Sequence, residues 1–261
     1  MITSLQNPIL KNIIKLRKSA QERRKQNRMI IEGVREVSRA LSCNWPINQI
    51  FFCEELMMNQ SEFLDKIRGK SIELIQTSKK VIEKMSYRDS SQGILALASM
   101  PKKPLEDLKL PDNPLVLIAE GLEKPGNIGS LLRIADGAGV DALILCDSTG
   151  DVWNPNVVRA STGTLFSVPL AVASSEKTLS WLNTQKISKI ITSPDSQTPY
   201  SNIDYRESCA IIIGSEQAGL TEKWMNTANE KVTIPMYGTA DSLNAAISAS
   251  IITYEALRQR S

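Results

Sequence analysis

The spacing of apolar residues over the first hundred positions predicts a small α/β unit. A basic helix is expected at about residues 8–27, and short apolar runs bounded by polar residues follow it, as is typical of strands. The further elements expected here are an apolar stretch at 29–31, helices at 34–41, 61–69 and 79–85, and strands at 47–52, 72–75 and 93–98.

Beyond this unit, unbroken apolar runs alternate with helical segments, which predicts a parallel sheet covered by helices on both faces. The expected strands are 115–119, 142–146, 166–170, 189–192, 210–213 and 232–234, and the expected helices are 128–138, 157–162, 176–184, 220–228 and 242–258. Ligands of such sheets bind beyond the carboxyl ends of the strands. The loops after residues 119, 213 and 234 are therefore the places to look for chemistry.

Four prolines within residues 101–114 separate the two patterns and indicate a linker. The predicted organisation is an α/β domain at 1–100, a proline-rich linker at 101–113 and a parallel-sheet domain at 114–261.

Composition excludes several classes of protein. The chain has no histidine, which removes Ser-His-Asp and Cys-His hydrolase chemistry, and its four cysteines are too scattered for a metal site. Cys146 and Cys209 lie in apolar runs, so we expect buried thiols in a reducing compartment. No apolar run approaches the ~20 residues of a membrane span, and the first residues lack an apolar signal core. We therefore expect a cytoplasmic protein with no metal and no membrane partner.

Positive charge is concentrated near the start of the chain. Residues 11–28 carry eight cations against the single acid Glu22, a local net charge of +7, whereas the whole chain has +3. Such a cluster suits a polyanion, since each neutralised phosphate releases counterions, although a solvated helix face has the same pattern. The candidate RNA-binding residues are Lys11, Lys15, Arg17, Lys18, Arg23, Arg24 and Arg28.

The first of the three loops leads into a helix that carries Asn127 and Arg133. Helix capping alone would explain Asn127. Arg133 stands among apolar neighbours, so we expect it on a largely buried helix, where a phosphate would be a suitable partner. The loop also partly resembles a dinucleotide-binding fingerprint, but the glycine required at position 124 is replaced by Lys124.

The second and third loops add further polar candidates. Gly214 ends an apolar run and Glu216 follows it, although a turn requirement would also explain Gly214 and Gly219. In the third loop, Ser242 or Asp241 can cap the final helix, and neither cap explains Asn244 inside its first turn.

Taken together, these segments resemble the SpoU/TrmH family of RNA ribose methyltransferases in the SPOUT superfamily. The matching text is NIGSLLRIADGAGVDALIL (127–145), VVRASTGTLFSVPLA (157–171), IIIGSEQAGL (211–220) and IPMYGTADSLNAAISASIITYE (234–255). A looser match to the family's ribosomal-protein-like substrate-binding domain is carried by IIEGVREVSRAL (30–41) and MSYRDSSQGILALA (85–98). One departure is Ala246, which stands where the family usually has a serine.

The resemblance implies a C-terminal trefoil knot, S-adenosylmethionine as cofactor and a homodimer formed through the C-terminal domain. It implies the catalytic residues Asn127, Arg133, Glu216, Ser242 and Asn244. The implied cofactor-binding residues are Gly214, Glu216, Ile234, Met236, Leu243 and Asn244. It further implies that Arg133 acts from the partner subunit. Because a guanidinium stays protonated, we expect Arg133 to hold a phosphate beside the target ribose rather than to accept a proton.

The expected function is methylation of a ribose 2′-hydroxyl in structured RNA, with large-subunit rRNA favoured. The alternatives are a tRNA ribose methyltransferase and an RNA-binding relative that has lost catalysis. A nicotinamide-dependent oxidoreductase is disfavoured by Lys124 and leaves the second and third loops unexplained.

Overall fold

The computed structural model describes residues 1–68, 72–87, 91–148 and 150–261. The chain forms two compact units. The first comprises residues 1–102 and 151–167, and the second comprises residues 103–150 and 168–261. The end of the helix predicted at 61–69 and part of the 85–98 motif lie outside the described residues.

The first unit contains a mixed sheet covered by helices. Its elements are α1 (Pro8–Lys18), α2 (Ala20–Gln26), β1 (Arg28–Glu32), α3 (Val34–Ser42), β2 (Ile47–Phe52), α4 (Ser61–Arg68), β3 (Glu73–Gln76), α5 (Lys79–Met85), β4 (Ile94–Ser99) and α7 (Pro155–Ala160), with 3-10 turns at Glu54–Gln60 and Thr164–Phe166. The strand order is β1-β4-β2-β3, in which β4 runs antiparallel to β1 and β2. Leu10, Ile13 and Leu16 of α1 are buried in its core.

The prediction of one continuous basic helix at 8–27 is wrong. Ser19 has an extended backbone, with φ −120° and ψ 116°, and it separates α1 from α2. Its hydroxyl accepts a hydrogen bond from the Glu22 backbone N–H at 3.2 Å, so it caps the second helix. The charges of this region therefore lie on two short helices.

Residues 151–167 belong to the first unit although the sequence pattern grouped them with the second. The Trp45 ring lies 5.8 Å from Trp153 and 5.0 Å from Phe166, measured between centroids. The Arg39 guanidinium donates to the Thr162 carbonyl at 2.9 Å. The strand predicted at 166–170 is wrong in position, because the chain makes a 3-10 turn at Thr164–Phe166 and pairs with the sheet from Leu170 onward.

The second unit is built on a parallel sheet. Its elements are β5 (Leu115–Glu120), α6 (Pro125–Ala138), β6 (Ala142–Cys146), β7 (Leu170–Ala173), α8 (Ser175–Gln185), β8 (Ser188–Thr192), β9 (Cys209–Ile213), α9 (Glu222–Thr227), β10 (Glu230–Val232) and α10 (Ala245–Arg260), with 3-10 turns at Leu105–Asp107 and Tyr200–Asn202. All neighbouring strands run parallel in the order β10-β8-β9-β5-β6-β7. The predicted fold class, a parallel-sheet domain with a smaller α/β unit, is confirmed. The trefoil knot stays a prediction.

The strand order changes direction at β5. The chain leaves β5 toward β6 and β7 on one side, while β9, β8 and β10 lie on the other. Ala119 of β5 pairs with Ile213 of β9, so the loops that follow these strands begin side by side. A crevice at such a switch point is where open α/β sheets bind ligands.

From Lys103 onward, the proline-rich segment belongs to the second unit. Leu105 is buried in the core of that unit, and Lys103 accepts a hydrogen bond from the Val172 backbone N–H at 2.9 Å. Cys146 and Cys209 are buried as expected. Burial raises the pKa of the Cys146 thiol to about 12, so this group stays protonated at neutral pH.

Candidate functional site

Three of the predicted polar residues meet at the carboxyl edge of the second sheet. The Asn127 amide nitrogen donates to Glu216 Oε1 at 3.3 Å. The Asn244 amide nitrogen donates to Asn127 Oδ1 at 3.1 Å and also to Glu216 Oε1. These side chains come from the three loops that the sequence singled out, and the fold brings them together.

The two asparagines hold helix positions that the sequence assigned differently. Helix α6 begins at Pro125, which places Asn127 within the first turn rather than at the cap. Helix α10 begins at Ala245, and Asn244 is its cap, with Oδ1 accepting from the Ala246 N–H at 3.0 Å. Ser242 lies outside the helix and makes no hydrogen bond to this cluster among the described residues.

Lys124 is a member of the cluster that sequence reasoning used only to reject a dinucleotide site. Its ammonium nitrogen lies 2.5 Å from Glu216 Oε2. Hydrogen bonding from Lys124, and then from Asn127, lowers the pKa of the Glu216 carboxyl below its usual value. Glu216 is therefore a carboxylate at neutral pH. In the sequence, a lysine in the loop after β5 and an acid in the loop after the neighbouring strand β9 could have suggested this ion pair.

A buried carboxylate fixes the loops behind this cluster. Glu120, which ends β5, is only 3% exposed. Its two oxygens accept hydrogen bonds from the Thr221 N–H at 2.8 Å, the Thr221 hydroxyl at 2.9 Å, the Ser175 hydroxyl at 2.6 Å and the Trp224 indole N–H at 3.0 Å. Buried carboxylates need this degree of compensation. The sequence analysis missed Glu120, although an acid ending an apolar strand was visible.

The loop after β9 folds back tightly on itself. The backbones of Ser215 and Gly219 exchange hydrogen bonds at 3.2 and 3.0 Å. A Cβ added to Gly214 would lie 2.2 Å from the Gly219 carbonyl carbon, so no larger residue fits there without a backbone shift. Gly219 has φ +65°, a conformation that favours glycine. Both glycines are therefore explained by the shape of the loop.

This loop forms one wall of a cavity of about 750 Å³. Five of the six predicted cofactor-binding residues line it: Gly214, Glu216, Ile234, Met236 and Leu243. Asn244 does not line the cavity, but its neighbours Leu243 and Ala245 do. Small-molecule sites commonly occupy 300–1,000 Å³ and combine apolar walls with a few polar groups.

The charges of the cavity indicate what kind of ligand it suits. Its described lining residues include the acids Asp195, Glu216 and Asp241 and contain no lysine or arginine. An acidic wall favours a cationic ligand and opposes the pyrophosphate of a dinucleotide. S-adenosylmethionine carries positive sulfonium and ammonium groups, which suit these acidic side chains. The tight loop at Gly214 offers backbone groups at close range.

Arg133 does not contribute to this cluster within its own chain. Contrary to the expectation of a buried setting, it is exposed on α6, and it makes no hydrogen bond or ion pair with any described residue. Six residues separate it from Asn127, which turns the two side chains about 120° apart on the helix. Arg133 is one turn before Gly137 on α6. At Gly137 an added Cβ would lie 2.9 Å from the Tyr254 hydroxyl of α10, so the two helices are close together near Arg133.

The basic helices of the first unit contain two arginines with structural roles. Arg23 is 2% exposed and forms an ion pair with Asp151 at 2.5 Å, so it is not available to RNA, contrary to the prediction. Arg17 donates to the carbonyls of Lys84 at 3.2 Å and Met85 at 3.3 Å at the end of α5. Part of the hydrogen-bonding capacity of its guanidinium is therefore satisfied within the first unit. The exposed candidates are Lys11, Lys15, Lys18 and Arg24, and Arg28 is half-buried.

The described part of the chain contains no group of three or more histidine, cysteine, aspartate or glutamate residues placed to hold a metal ion. None of its helices combines the length and apolar character needed to cross a bilayer.

The fold and the site define an α/β protein with an acidic cavity at the carboxyl ends of β8, β9 and β10, suited to a small cationic ligand. The family model described as SpoU rRNA Methylase family matches residues 114–254, and the model described as MRM3-like substrate binding domain matches residues 7–96. The chain therefore belongs to the SpoU rRNA methylase family, as its motifs predicted.

Characterised relatives match nearly the whole chain. One is the 23S rRNA (uridine(2479)-2′-O)-methyltransferase of Streptomyces viridochromogenes, 31% identical over 92% of this chain and 85% of the relative. Another is the 23S rRNA (guanosine(2553)-2′-O)-methyltransferase RlmP of Bacillus subtilis, 30% identical over 97% of each chain. The crystal structure of the AdoMet-bound rRNA methyltransferase from Sinorhizobium meliloti superposes with a TM-score of 0.89, at 29% identity over 98% of this chain and 97% of that one.

Proposed function

We propose that this protein transfers a methyl group from S-adenosylmethionine to a ribose 2′-hydroxyl of 23S rRNA. The observation that carries the proposal is the acidic cavity beside the Asn127–Glu216–Asn244 cluster, in a chain of the SpoU rRNA methylase family. Two relatives named as 23S rRNA 2′-O-methyltransferases favour rRNA over tRNA as the substrate. The dispersed cysteines suit a reducing cytoplasm.

The residues of the cavity would bind and orient the cofactor. Gly214, Ile234 and Leu243 would hold it through backbone groups and apolar contacts, while the acids of the wall favour its positive charge. When bound, S-adenosylmethionine supplies a methyl group on sulfonium sulfur. Transfer would form an oxygen–carbon bond and break the carbon–sulfur bond, leaving the neutral thioether S-adenosylhomocysteine and releasing the hydroxyl proton to water.

Glu216 is suited to positioning rather than to accepting that proton. Its pKa is lowered by Lys124, so the carboxylate is a weak base at neutral pH. The hydrogen bonds that it accepts from Asn127 and Asn244 keep three polar side chains in one arrangement beside the cavity. Alignment of a weak nucleophile is a large part of the work in such a displacement.

We also propose that the site is completed by Arg133 of the partner subunit in a homodimer. The exposed face of α10 supports this, because Ile247 is 51% and Tyr254 46% exposed, and Ile251 lies between them on the same side of the helix. Arg133 is on the part of α6 that Tyr254 approaches. There it would hold an RNA phosphate and stabilise negative charge developing on the 2′-oxygen.

Mixed dimers test the proposal. Arg133→Ala and Asn244→Ala are each expected to abolish most methyl transfer to 23S rRNA, whereas Arg133→Ala keeps its affinity for S-adenosylmethionine in calorimetry. Co-refolded in equal amounts, the two variants should regain about a quarter of wild-type activity, because half of the dimers are mixed and each holds one intact site. No recovery would contradict an arginine acting across the subunits, and absence of methyl transfer by the wild-type protein would contradict the function itself.

Oligomeric state has its own test. Tyr254→Glu is expected to yield monomers in light scattering, and Val172→Glu, at another exposed apolar position of the second unit, is the matched control. A wild-type protein that is monomeric at micromolar concentration would contradict the dimer.

A further inference from the structure

A second cavity lies wholly within the first unit and is independent of the cofactor cavity. It has a volume of about 620 Å³ and is formed by α1, the end of α5 and the segment that precedes and begins α7. We call it the Tyr87 cleft. Its lining includes Arg17, Lys18, Lys84, Tyr87, Asn154 and Asn156.

The charge of the Tyr87 cleft is positive. Among its described lining residues, Arg17, Lys18 and Lys84 stand against one acid, Glu83. Lys18 and Lys84 are exposed, so their ammonium groups are free to meet a ligand. A concave surface with this excess of cations attracts phosphate groups and disfavours cationic or apolar ligands.

The aromatic ring in the cleft is held rigidly although it is 45% exposed. The Tyr87 hydroxyl accepts a hydrogen bond from the Asn156 amide nitrogen at 2.9 Å. The Arg159 guanidinium carbon lies 5.6 Å from the centre of the ring, a cation–π contact. The Tyr87 backbone N–H donates to the buried carboxylate of Glu32 at 2.7 Å. A ring fixed at its hydroxyl, its face and its backbone loses little entropy when a flat group stacks on it.

The asparagines supply hydrogen-bonding groups beside the ring. Asn154 lines the cleft, and its Oδ1 accepts from the Asn156 backbone N–H at 2.9 Å. The Asn156 Oδ1 atom is buried without a hydrogen-bond partner among the described residues. Buried acceptors are usually paired, so an unpaired one beside a cavity marks a place where a bound donor would lower the energy.

We propose that the Tyr87 cleft binds an unpaired nucleotide of the RNA substrate, with its base stacked on Tyr87 and the adjoining phosphates held by Lys18 and Lys84. Stacking on an aromatic ring together with neighbouring cations is the usual way in which proteins hold single-stranded RNA. This proposal rests on the proposed function, which supplies RNA as the ligand. It assigns to the first unit a specific recognition site in place of diffuse attraction by a basic helix.

Photocrosslinking on the full-length wild-type protein tests the position of the base directly. The probe is a short single-stranded oligouridylate that contains one 5-iodouridine, and mass spectrometry locates the cross-link. We expect Tyr87 as the modified residue, with the cross-link lost in Tyr87→Leu. Cross-links confined to residues outside the cleft would overturn the proposal.

Affinity measured by fluorescence anisotropy with the same oligonucleotide separates stacking from structure. Tyr87→Leu should raise the Kd by about 5- to 100-fold, as expected for the loss of one stacked base. Tyr87→Phe keeps the aromatic face and should stay within about threefold of wild type. Equal losses in both variants would assign the effect to the hydroxyl contact with Asn156 and overturn stacking.

Salt dependence tests the phosphate contacts. Lys18→Ala and Lys84→Ala should each reduce the slope of log Kd against log salt by about 0.7. Lys66→Ala, an exposed lysine of the same unit on α4 and outside the cleft, is the matched control and should leave the slope unchanged. Unchanged slopes in both cleft variants would remove them from the site.

The outcome for the cleft can be distinguished from the outcome for the proposed function. If the wild-type protein methylates 23S rRNA while Tyr87→Leu keeps both affinity and cross-link pattern, the cleft proposal fails alone. If the wild-type protein methylates no RNA, the proposed function fails, and a cross-link on Tyr87 would still establish nucleotide binding at the cleft.

Discussion

The amide nitrogen of Asn244 donates to the amide oxygen of Asn127 across 3.1 Å, although 117 positions separate them in the chain. The same Asn244 side chain caps α10 through its oxygen. Asn244 thereby couples the start of α10 to the polar cluster. A substitution at this position disturbs both the helix cap and the cluster unless the new side chain can also cap the helix.

Asn244→Ser should separate the two roles. Serine caps helices about as well as asparagine, so the free energy of unfolding should change by less than about 1 kcal/mol. The donor to Asn127 and Glu216 is lost, and methyl transfer should fall by about tenfold or more. Urea unfolding and transfer of labelled methyl groups to 23S rRNA measure the two effects. If Asn244→Ala and Asn244→Ser lower the free energy of unfolding equally, the capping hydrogen bond is not what stabilises the start of α10.

Lys124→Met should raise the pKa of Glu216. The ordinary carboxyl pKa is lowered in the folded protein chiefly by the hydrogen bond from Lys124. A lowered folded pKa stabilises the protein above the unfolded pKa, and this stabilisation disappears as the pH falls through the folded value. Removal of Lys124 should therefore reduce this stabilisation, and what remains should be lost at a higher pH. Carbon-13 NMR titration of the glutamate carboxyl provides the measurement, with Lys223→Met as control.

If the Glu216 titration is the same in the wild-type protein and in Lys124→Met, the ion pair seen at 2.5 Å does not persist in solution.

Glu120→Gln should destabilise the second unit by about 3 kcal/mol. The buried carboxylate accepts hydrogen bonds from Thr221, Ser175 and Trp224, and an amide would turn donors toward donors. Urea unfolding followed by tryptophan fluorescence gives the free energy, and Glu123→Gln, at an exposed position nearby, is the control. A loss no larger than that of the control would show that the loop does not depend on this carboxylate.

The sequence predicted the layout of the site better than its details. Apolar periodicity was sufficient for the parallel sheet, because strands buried on both faces are unbroken apolar runs. It placed the start of α10 at Ser242, because serine and asparagine are both good caps and pattern alone cannot choose between them. Glu120 was overlooked because its partners come from distant parts of the chain.

The same limit explains the errors elsewhere. Arg133 has apolar neighbours in sequence, but residues one turn apart share a helix face and adjacent residues do not, so it is exposed. Arg23 is indistinguishable from Arg24 in a charge count, yet one is paired with Asp151 and the other is exposed. Long-range partners decide such cases.

Gly214→Ala should weaken binding of S-adenosylmethionine. An added Cβ would lie 2.2 Å from the carbonyl carbon of Gly219, and the loop has to move to relieve the contact. Strain of this kind typically costs about 1–3 kcal/mol, which corresponds to roughly 5- to 150-fold in Kd if it falls on the cavity wall. Calorimetry measures the affinity. Gly238→Ala, where an added Cβ meets nothing within 4 Å, is the control, and equal affinities for the two variants would contradict the role of the loop.

Replacing Lys11, Lys15 and Arg24 by glutamine should flatten the salt dependence of binding to 23S rRNA fragments. These side chains are exposed, and each lost phosphate contact reduces the slope by about 0.7 to 0.9. Deletion of the helices is a poorer experiment, because Leu10, Ile13 and Leu16 belong to the core. An unchanged slope would exclude α1 and α2 as an electrostatic contact with RNA.

The packing of residues 151–167 with the first unit bears on how the protein is made. Trp45 finds its partners Trp153 and Phe166 more than a hundred positions later in the chain. During translation, the first unit cannot complete its interior until residue 167 has left the ribosome, by which time β5, α6 and β6 have already emerged. A nascent chain halted after the proline-rich segment would leave the Trp45 indole without these two ring partners, whereas one halted well beyond residue 167 could bury it.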